Sequence, residues 1–558
     1  MYNIKSKKTL IIIAAVFSAL FTLSFLISDQ QDKDFKLTKN IDIYISLFRE
    51  LNTFYVDDID PEKLVETSIT SMLETLDPYT VYYPQDDVSD LDFMTTGKYG
   101  GFGSVIRKSG DYIVVANVYR GFPADKTGIK PGDLIISIDG KSLKGVTSDK
   151  ASDMLKGDPG SEAEMTIRRN DKDFTVTLSR EKIAIPAVPY YGMLDNTTGY
   201  IRFTNFTQNC ITEVRDALTD LKENQGATTL ILDLRNNPGG LVSEAVEIVN
   251  LFVKAGQEVV STRGRVKQYD AVFRTQKNPV APEMPLIILI NRGSASASEI
   301  VAGAIQDLDR GVILGERSYG KGLVQVARPL SYKAQLKVTT AKYYIPSGRC
   351  IQAVDFSHRN EDGSVGHIPD SLIRTFKTRG GREVKDGGGI IPDKSVPSET
   401  MSRFTSELYV QNMIFDFATE YFWSHPAPSS LEDFKLTDED INGFHEFLEK
   451  KKFSYKTDSE EALEQVVMLT KREGLYDNNR ALLEELMEGV THNPDNDIKT
   501  QKNDVRELIE SELAGRYFYD AGAIKYSLPF DKQVIEAAAV ASDKGLYSSF
   551  LRAGSSLK

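Results

Sequence analysis

The chain reads as a multidomain α/β protein, and three observations predict it. Its 558 residues are more than one hydrophobic core organises and point to three or four domains. Two apolar runs, TLILDL at 229–234 and PLIILI at 285–290, show no alternation, as strands covered on both faces should, and each leads into a helical stretch. Short alternating strands fill the residues before this block, and helical periodicity fills those after it.

The elements follow in order. Lys5, Lys7 and Lys8 precede an uncharged run over residues 9–28, long enough to cross a bilayer core, which takes about 20 residues. The lysines are expected to stay in the cytoplasm and the rest to be exported, so the address is the cell envelope. The end of the run, FLIS at 25–28, lacks an A-x-A-like cleavage site, which favours an inner-membrane anchor in 1–34 over a cleaved signal and a soluble periplasmic chain. No cysteine follows the run to accept a lipid.

Residues 35–86 read as helical, with Ile41, Ile45 and Phe48, then Leu64, Ile69, Met72 and Leu73, at helical spacing; Asp77-Pro78 ends the second run. Residues 87–182 switch to strands at 112–118, 134–138, 163–168 and 174–178, with turn signals PGD at 131–133 and DG at 139–140, and one helix over Ser148–Leu155. Residues 183–398 alternate: a strand at 199–203, a helix at 211–223, the apolar strand at 229–234, a helix at 242–253, the apolar strand at 285–290 and a helix running to about 308, which together predict a mixed sheet flanked by helices. Residues 399–558 read as a separate helical domain without a familiar motif.

Composition excludes some classes. Hydrophobic residues at 41% and charged residues at 26% fit a globular chain, and a net charge of −13 argues against a nucleic-acid surface. Two cysteines, Cys210 and Cys350, cannot build a disulfide framework. The five histidines lie at 358, 367, 425, 445 and 492, so a Ser-His-Asp triad is hard to assemble on the α/β block. No HExxH, Walker A or CxxC pattern occurs, and neither a metal nor a cofactor is implied.

The chemistry concentrates in two segments, NRGSASASE at 291–299 and GERSYGKGLVQ at 315–325. A hydroxyl nucleophile and an amine base are what a Ser-Lys hydrolase needs. Ser294, Ser296 and Ser298 compete, and residues two apart on a helix face different directions. Ser296-x-x-Glu299 is also a capping box, so Ser296 has a purely structural reading as an N-cap. The same geometry would leave the Ala297 amide an orphan donor beside the hydroxyl, suited to an oxyanion. A lysine base must be neutral, whereas its reference pKa is about 10.4, so Lys321 needs the apolar packing that its flanking glycines and the following Leu-Val allow. Gln325, four residues on, would share its face on a strand and orient the amine without adding charge. The segment DLRNNPGG at 233–240 is a strand-to-helix turn or an anion cradle.

With YVDDIDP at 55–61, LDP at 76–78, YIPSGR at 344–349 and GIIPD at 389–393, these segments stand in an order that resembles the carboxyl-terminal processing proteases, also called tail-specific proteases, over residues 35–398. The resemblance implies a crotonase-like ββα core over 183–398 and a PDZ-like domain over 87–182. It implies Ser296, the middle serine, as nucleophile, Lys321 as general base, Gln325 in the site, and a glycine of the 233–240 motif, Gly240 or else Gly239, giving the second oxyanion amide beside Ala297. Gly101, Phe102, Gly103 and Ser104 resemble the loop that binds a C-terminal carboxylate, where glycine lets main-chain N–H groups turn inward. Arg168 and Arg169 near that groove read as solvated strand charges. The expected partners are protein or peptide substrates with free C-termini, the membrane through residues 9–28, and a homo-oligomer or adaptor protein. The rivals are a catalytically silent PDZ adaptor presenting envelope proteins to a partner, disfavoured by the intact Ser296, Lys321 and Gln325, and a crotonase-like acyl-transfer enzyme, disfavoured by the PDZ-like segment and the export signal.

Overall fold

The structure is a computed structural model that describes residues 34–552 apart from 86–87, 361 and 492–493. The expected membrane run at 9–28 lies outside the described residues, and among these no helix is long and apolar enough to cross a membrane. The described residues form two compact units that divide between Tyr82 and Tyr83.

In the first unit, residues 34–54 and Pro61–Glu74 are helices. Asp60 caps the second by accepting the N–H groups of Glu62 and Lys63 at 3.0 and 3.2 Å, and Pro61 enters where a helix has no use for an N–H. The expectation of helix throughout 35–86 fails near its end, where Val81–Tyr83 is extended.

The second unit opens with a helix the sequence reading missed, Val88–Thr96. The strands Ser104–Ser109, Tyr112–Val118, Leu134–Ile138, Glu162–Arg169 and Lys172–Ser179 form an antiparallel sheet in that order. The helix Ser148–Leu155 packs Ala151 and Leu155 into a core with Phe102, Ile113, Ile135, Leu143 and Ile167. Lys98–Gly101 pairs with Glu181–Ala184 where the chain enters and leaves this domain.

A mixed sheet follows, as the alternation predicts. Tyr190–Met193 lies antiparallel to Thr198–Arg202, and Thr229–Asp233, Leu286–Ile290, Val312–Gly315 and Lys394–Ser395 continue it in parallel. Thr229–Asp233 and Leu286–Ile290 are buried along their whole length. Leu230, Leu232, Ile288 and Ile290 face the helices Cys210–Glu223, Val242–Asn250 and Ala297–Asp307. The alternate residues Ile231, Ile287 and Leu289 face Val534, Ala537 and Val540 of the helix Lys532–Ser542. The helical region beyond residue 399 therefore does more than stand apart. It supplies the cover for one face of this sheet, since a parallel sheet must be covered on both.

The same region grips the strand domain. Arg516, almost fully buried, donates to Pro131 O at 3.2 Å and Phe415 O at 3.0 Å, Tyr519 Oη donates to Asp125 at 2.8 Å, and Asn117 donates to Asp520 at 2.6 Å. A second sheet, Leu323–Pro329, Gln335–Tyr344, Glu258–Gly264 and Ala271–Arg274 in that order, is antiparallel.

Candidate active site

Leu286–Ile290 ends in a loop that delivers the helix Ala297–Asp307, and the loop is held by its own polar side chains. Ser294 Oγ donates to Leu234 O at 2.8 Å and accepts the Asn291 N–H at 2.9 Å, while Ser298 Oγ donates to Asn237 O at 2.9 Å. Both serines are fully buried, their hydroxyls spent on the neighbouring loop. From Ser294 to Asp307 every residue is buried except Ser296. Ser296 has φ 53° and ψ −111°, a conformation that costs an L-residue on the order of 1–3 kcal/mol and that clusters where the surrounding structure holds a site.

The DLRNNPGG loop lies beside it. At Gly239 (φ 97°) an added Cβ would sit 2.8 Å from both Ser296 Cβ and Ala297 N, and at Gly240 (φ 145°) it would sit 2.4 Å from Phe206 O, so both positions need glycine. Asn237 ties the loops together: its Nδ2 donates to Phe203 O at 3.0 Å, its Oδ1 accepts the Gly239 N–H at 2.9 Å, and its carbonyl accepts the Ala295 N–H at 3.0 Å. The Gly239 amide is thus committed. Among the described residues the N–H groups of Gly240 and Ala297 meet no acceptor. Two such donors, one of them at a helix N-terminus, can hold an oxyanion.

Lys321 lies in the loop between Val312–Gly315 and Leu323–Pro329 and is half-buried. The carboxylate of Glu299 gathers this loop and the serine together. Its Oε1 accepts Ser318 Oγ at 2.6 Å and the Gly320 N–H at 2.7 Å, and its Oε2 accepts the Ser296 N–H at 2.8 Å and the Lys321 N–H at 2.9 Å. Burial pushes this carboxyl above its usual range, against the pull of hydrogen bonds from Ser318, Lys321, Gly320 and Ser296. The buried Tyr343 brings its hydroxyl to Ser296 O at 3.2 Å and to Lys321 O. The capping box disclosed Glu299 only as a cap, the DLRNNPGG motif pointed to its glycines rather than to Asn237, and no motif pointed to Tyr343.

The spacing argument for Gln325 needs correction. The strand begins at Leu323, after Lys321, so its alternation does not reach back to place Lys321 and Gln325 on one face; the register slip beside Gln325 is an extra residue, Thr340, in the facing strand Gln335–Tyr344. Gln325 Nε2 donates to Thr339 Oγ1 at 3.1 Å.

At the start of the DLRNNPGG loop, Asp233 is fully buried. It meets Arg235 at 2.6 Å, Arg202 at 2.8 Å and the Tyr200 hydroxyl at 2.7 Å. Burial pushes its carboxyl up, and the two guanidinium groups of Arg235 and Arg202 with the Arg235 and Tyr200 hydrogen bonds outweigh that, leaving it well below the ordinary carboxylate range. Arg235 continues to Asp531 at 2.7 Å and to Gln533 at 2.9 Å, both in the helical region.

In the strand domain, Phe102 is buried in the core, and the carbonyls of Phe102 and Gly103 accept the N–H groups of Ala124 and Tyr119 at 2.9 and 2.8 Å. The amides of Phe102 and Gly103 meet no acceptor among the described residues. Gly103 has φ 75°, and a Cβ there would lie 2.5 Å from Phe122 Cβ. Ser104 opens the strand Ser104–Ser109, which pairs with Tyr112–Val118 on one side; among the described residues no strand covers its other edge. Arg168 pairs with Asp173 at 2.7 Å and Arg169 with the buried Asp133 at 2.6 Å, so both are committed within the domain.

One histidine does approach a serine and an aspartate. Ser357 Oγ and Asp355 Oδ2 lie 3.2 and 2.7 Å from the same Nδ1 of the exposed His358, which is no relay, because a triad needs one nitrogen for each partner. Among the described residues no group of His, Cys, Asp and Glu is arranged to hold a metal.

The family matches make the chain a serine-type peptidase that carries a PDZ domain and a C-terminal helical domain. Residues 197–357 match the model of peptidase family S41, 91–168 that of the PDZ domain, and 404–541 that of the probable PDZ-protease C-terminal helical domain. A carboxy-terminal-processing protease of Bartonella bacilliformis is 36% identical over 354 residues, which are 62% of this chain and 81% of that protein. A probable CtpA-like serine protease of Staphylococcus aureus is 32% identical over 314 residues, 56% of this chain and 62% of that protein. Among solved structures, the photosystem II D1 C-terminal processing protease is 28% identical, with 63% of this chain and 92% of that one covered and a TM-score of 0.35. The chain belongs to the carboxy-terminal-processing proteases of family S41.

Proposed function

We propose that Ser296 and Lys321 form the catalytic dyad and that the PDZ domain selects protein tails for it. Ser296 Oγ attacks the scissile carbonyl as Lys321 takes its proton, the amides of Ala297 and Gly240 hold the oxyanion, and water then releases the acyl group from the serine. Gln325 is read as the neutral polar residue that orients the lysine, on the family resemblance alone. The observation that carries this reading is the fate of the three serines: Ser294 and Ser298 are buried and bonded to main-chain carbonyls, while Ser296 alone is open in that run, strained, and next to two uncommitted amides. The core is read as the ββα type. Residues 9–28 are read as an inner-membrane anchor that holds the catalytic part in the periplasm, supported by the uncharged run and its lysine flank.

In the PDZ domain the amides of Phe102 and Gly103 receive the terminal carboxylate, and the open edge of Ser104–Ser109 pairs with the last residues of the tail. A substrate with a free C-terminus is expected to be cleaved at least about tenfold faster at subsaturating concentration than the same substrate amidated, the loss of a charge-assisted hydrogen bond or two. Equal rates would remove carboxylate recognition. Gly103→Val is expected to abolish the preference through strain at φ 75° and the contact with Phe122. Circular dichroism of the variant should show the domain still folded, and a small unstructured substrate should still be cut.

A further inference from the structure

We propose that Glu299 is a positioning residue for catalysis: one buried carboxylate oxygen holds the main-chain N–H groups of both Ser296 and Lys321, and Tyr343 closes on the carbonyls of the same two residues. The proposal rests on the dyad reading above. A helix cap would explain only the bond from the Ser296 N–H at 2.8 Å. The bonds from Lys321, Gly320 and Ser318, at 2.9, 2.7 and 2.6 Å, come from a loop that is separate in sequence and serve no helix end. Four donors converge on two oxygens, and only an ionised carboxylate offers acceptors to all four. The Tyr343 hydroxyl reaches the pair from a third element, the strand Gln335–Tyr344. The separation of nucleophile and base is therefore set by main-chain bonds through two side chains, both of them buried. An ångström of misplacement is enough to cost about a hundredfold in rate.

Glu299→Gln keeps the volume and replaces one acceptor oxygen by an NH2 group that faces two donors. In the full chain it is expected to lower kcat about a hundredfold per folded molecule, with KM for a free-tailed substrate within about threefold, because the PDZ groove is untouched. The rise of kcat/KM with pH, which reports the base, should move to lower pH in this variant, since a buried negative charge beside the lysine loop is gone. The other ionisable groups at that loop stay in place: Tyr343; Tyr319; Arg317, which donates to Gly388 O; and Glu316, which accepts from Ser398. Tyr343→Phe removes one hydroxyl and no charge. It is expected to lower kcat about tenfold, by the loss of one buried hydrogen bond, without moving the pH midpoint. Wild-type kcat in either folded variant, while Ser296→Ala is inactive, overturns the positioning role and leaves the dyad standing. A loss of kcat in Glu299→Gln with an unmoved pH midpoint, matching its loss of folded protein, also overturns it. Cleavage by Ser296→Ala at the wild-type rate overturns the dyad itself. Should Glu299→Gln not fold, Tyr343→Phe carries the test alone.

Discussion

Ser296→Ala is expected to lower cleavage of an unstructured protein by roughly a thousandfold or more while the chain stays folded. The substitution removes one oxygen. It leaves the main-chain bond to Glu299 at 2.8 Å, which holds the turn at φ 53°. Lys321→Ala should match it, because a nucleophile and its base fail as a unit and their losses do not add. The neighbouring serines give the contrast. Ser294→Ala and Ser298→Ala strip one hydrogen bond each from Leu234 O and Asn237 O, which keep a main-chain donor, so each is expected to cost about 1 kcal/mol of stability and to retain much of the activity. The check is the rate of appearance of fragments for the four variants beside their thermal unfolding. Full activity in folded Ser296→Ala would remove the nucleophile, and the loss of activity in Ser298→Ala without loss of stability would move it.

Asp233→Ala is expected to cost about 3–5 kcal/mol at neutral pH, the largest stability effect of any single substitution in this region. Two guanidinium groups, those of Arg202 and Arg235, and the Tyr200 hydroxyl converge on a carboxylate with no exposure to water, and its removal takes that carboxylate from Arg202 and leaves Arg235 with the carboxylate of Asp531 alone. The sign with pH follows from the depressed carboxyl. A group whose folded value lies below its unfolded one stabilises above the unfolded value, about 3.9, and loses that contribution as pH falls through the folded value. The difference between wild type and Asp233→Ala should therefore be full at pH 7 and begin to shrink below about pH 4. Urea unfolding at both pH values measures it. A shift under about 1 kcal/mol at pH 7 would mean that the charges relax into solvent.

Some of this was legible in the residue order. TLILDL and PLIILI have no polar alternation, and both became strands buried on each face. The helix Ser148–Leu155 and the strand Tyr112–Val118 carried their periods openly. What periodicity does not encode is the identity of the partner. Ile231 and Leu289 announce that something covers them, and nothing local says that it is a helix some 250 to 300 residues downstream. The site divides the same way. The serine and lysine segments read as chemistry because nucleophiles and bases have recognisable neighbours. Tyr343 is an unremarkable strand tyrosine until the sheet brings its hydroxyl between two loops. Lys321 and Gln325 share a strand face only if the strand already runs at Lys321, and it starts at Leu323.

The helix Lys532–Ser542 has a consequence for how the chain is made. A ribosome releases residues from the N-terminus onward, so the strands that carry Ile231, Ile287, Leu289, Val312 and Leu314 emerge long before the residues that cover them. During that interval one face of the sheet is bare, and Arg235, whose guanidinium waits for Asp531 and Gln533, lacks part of its anchorage beside the loop that ends at Gly240. The order of synthesis thus builds a delay into the enzyme: the wall behind the loop that ends at Gly240 is finished only once the distant helix Lys532–Ser542 has been translated.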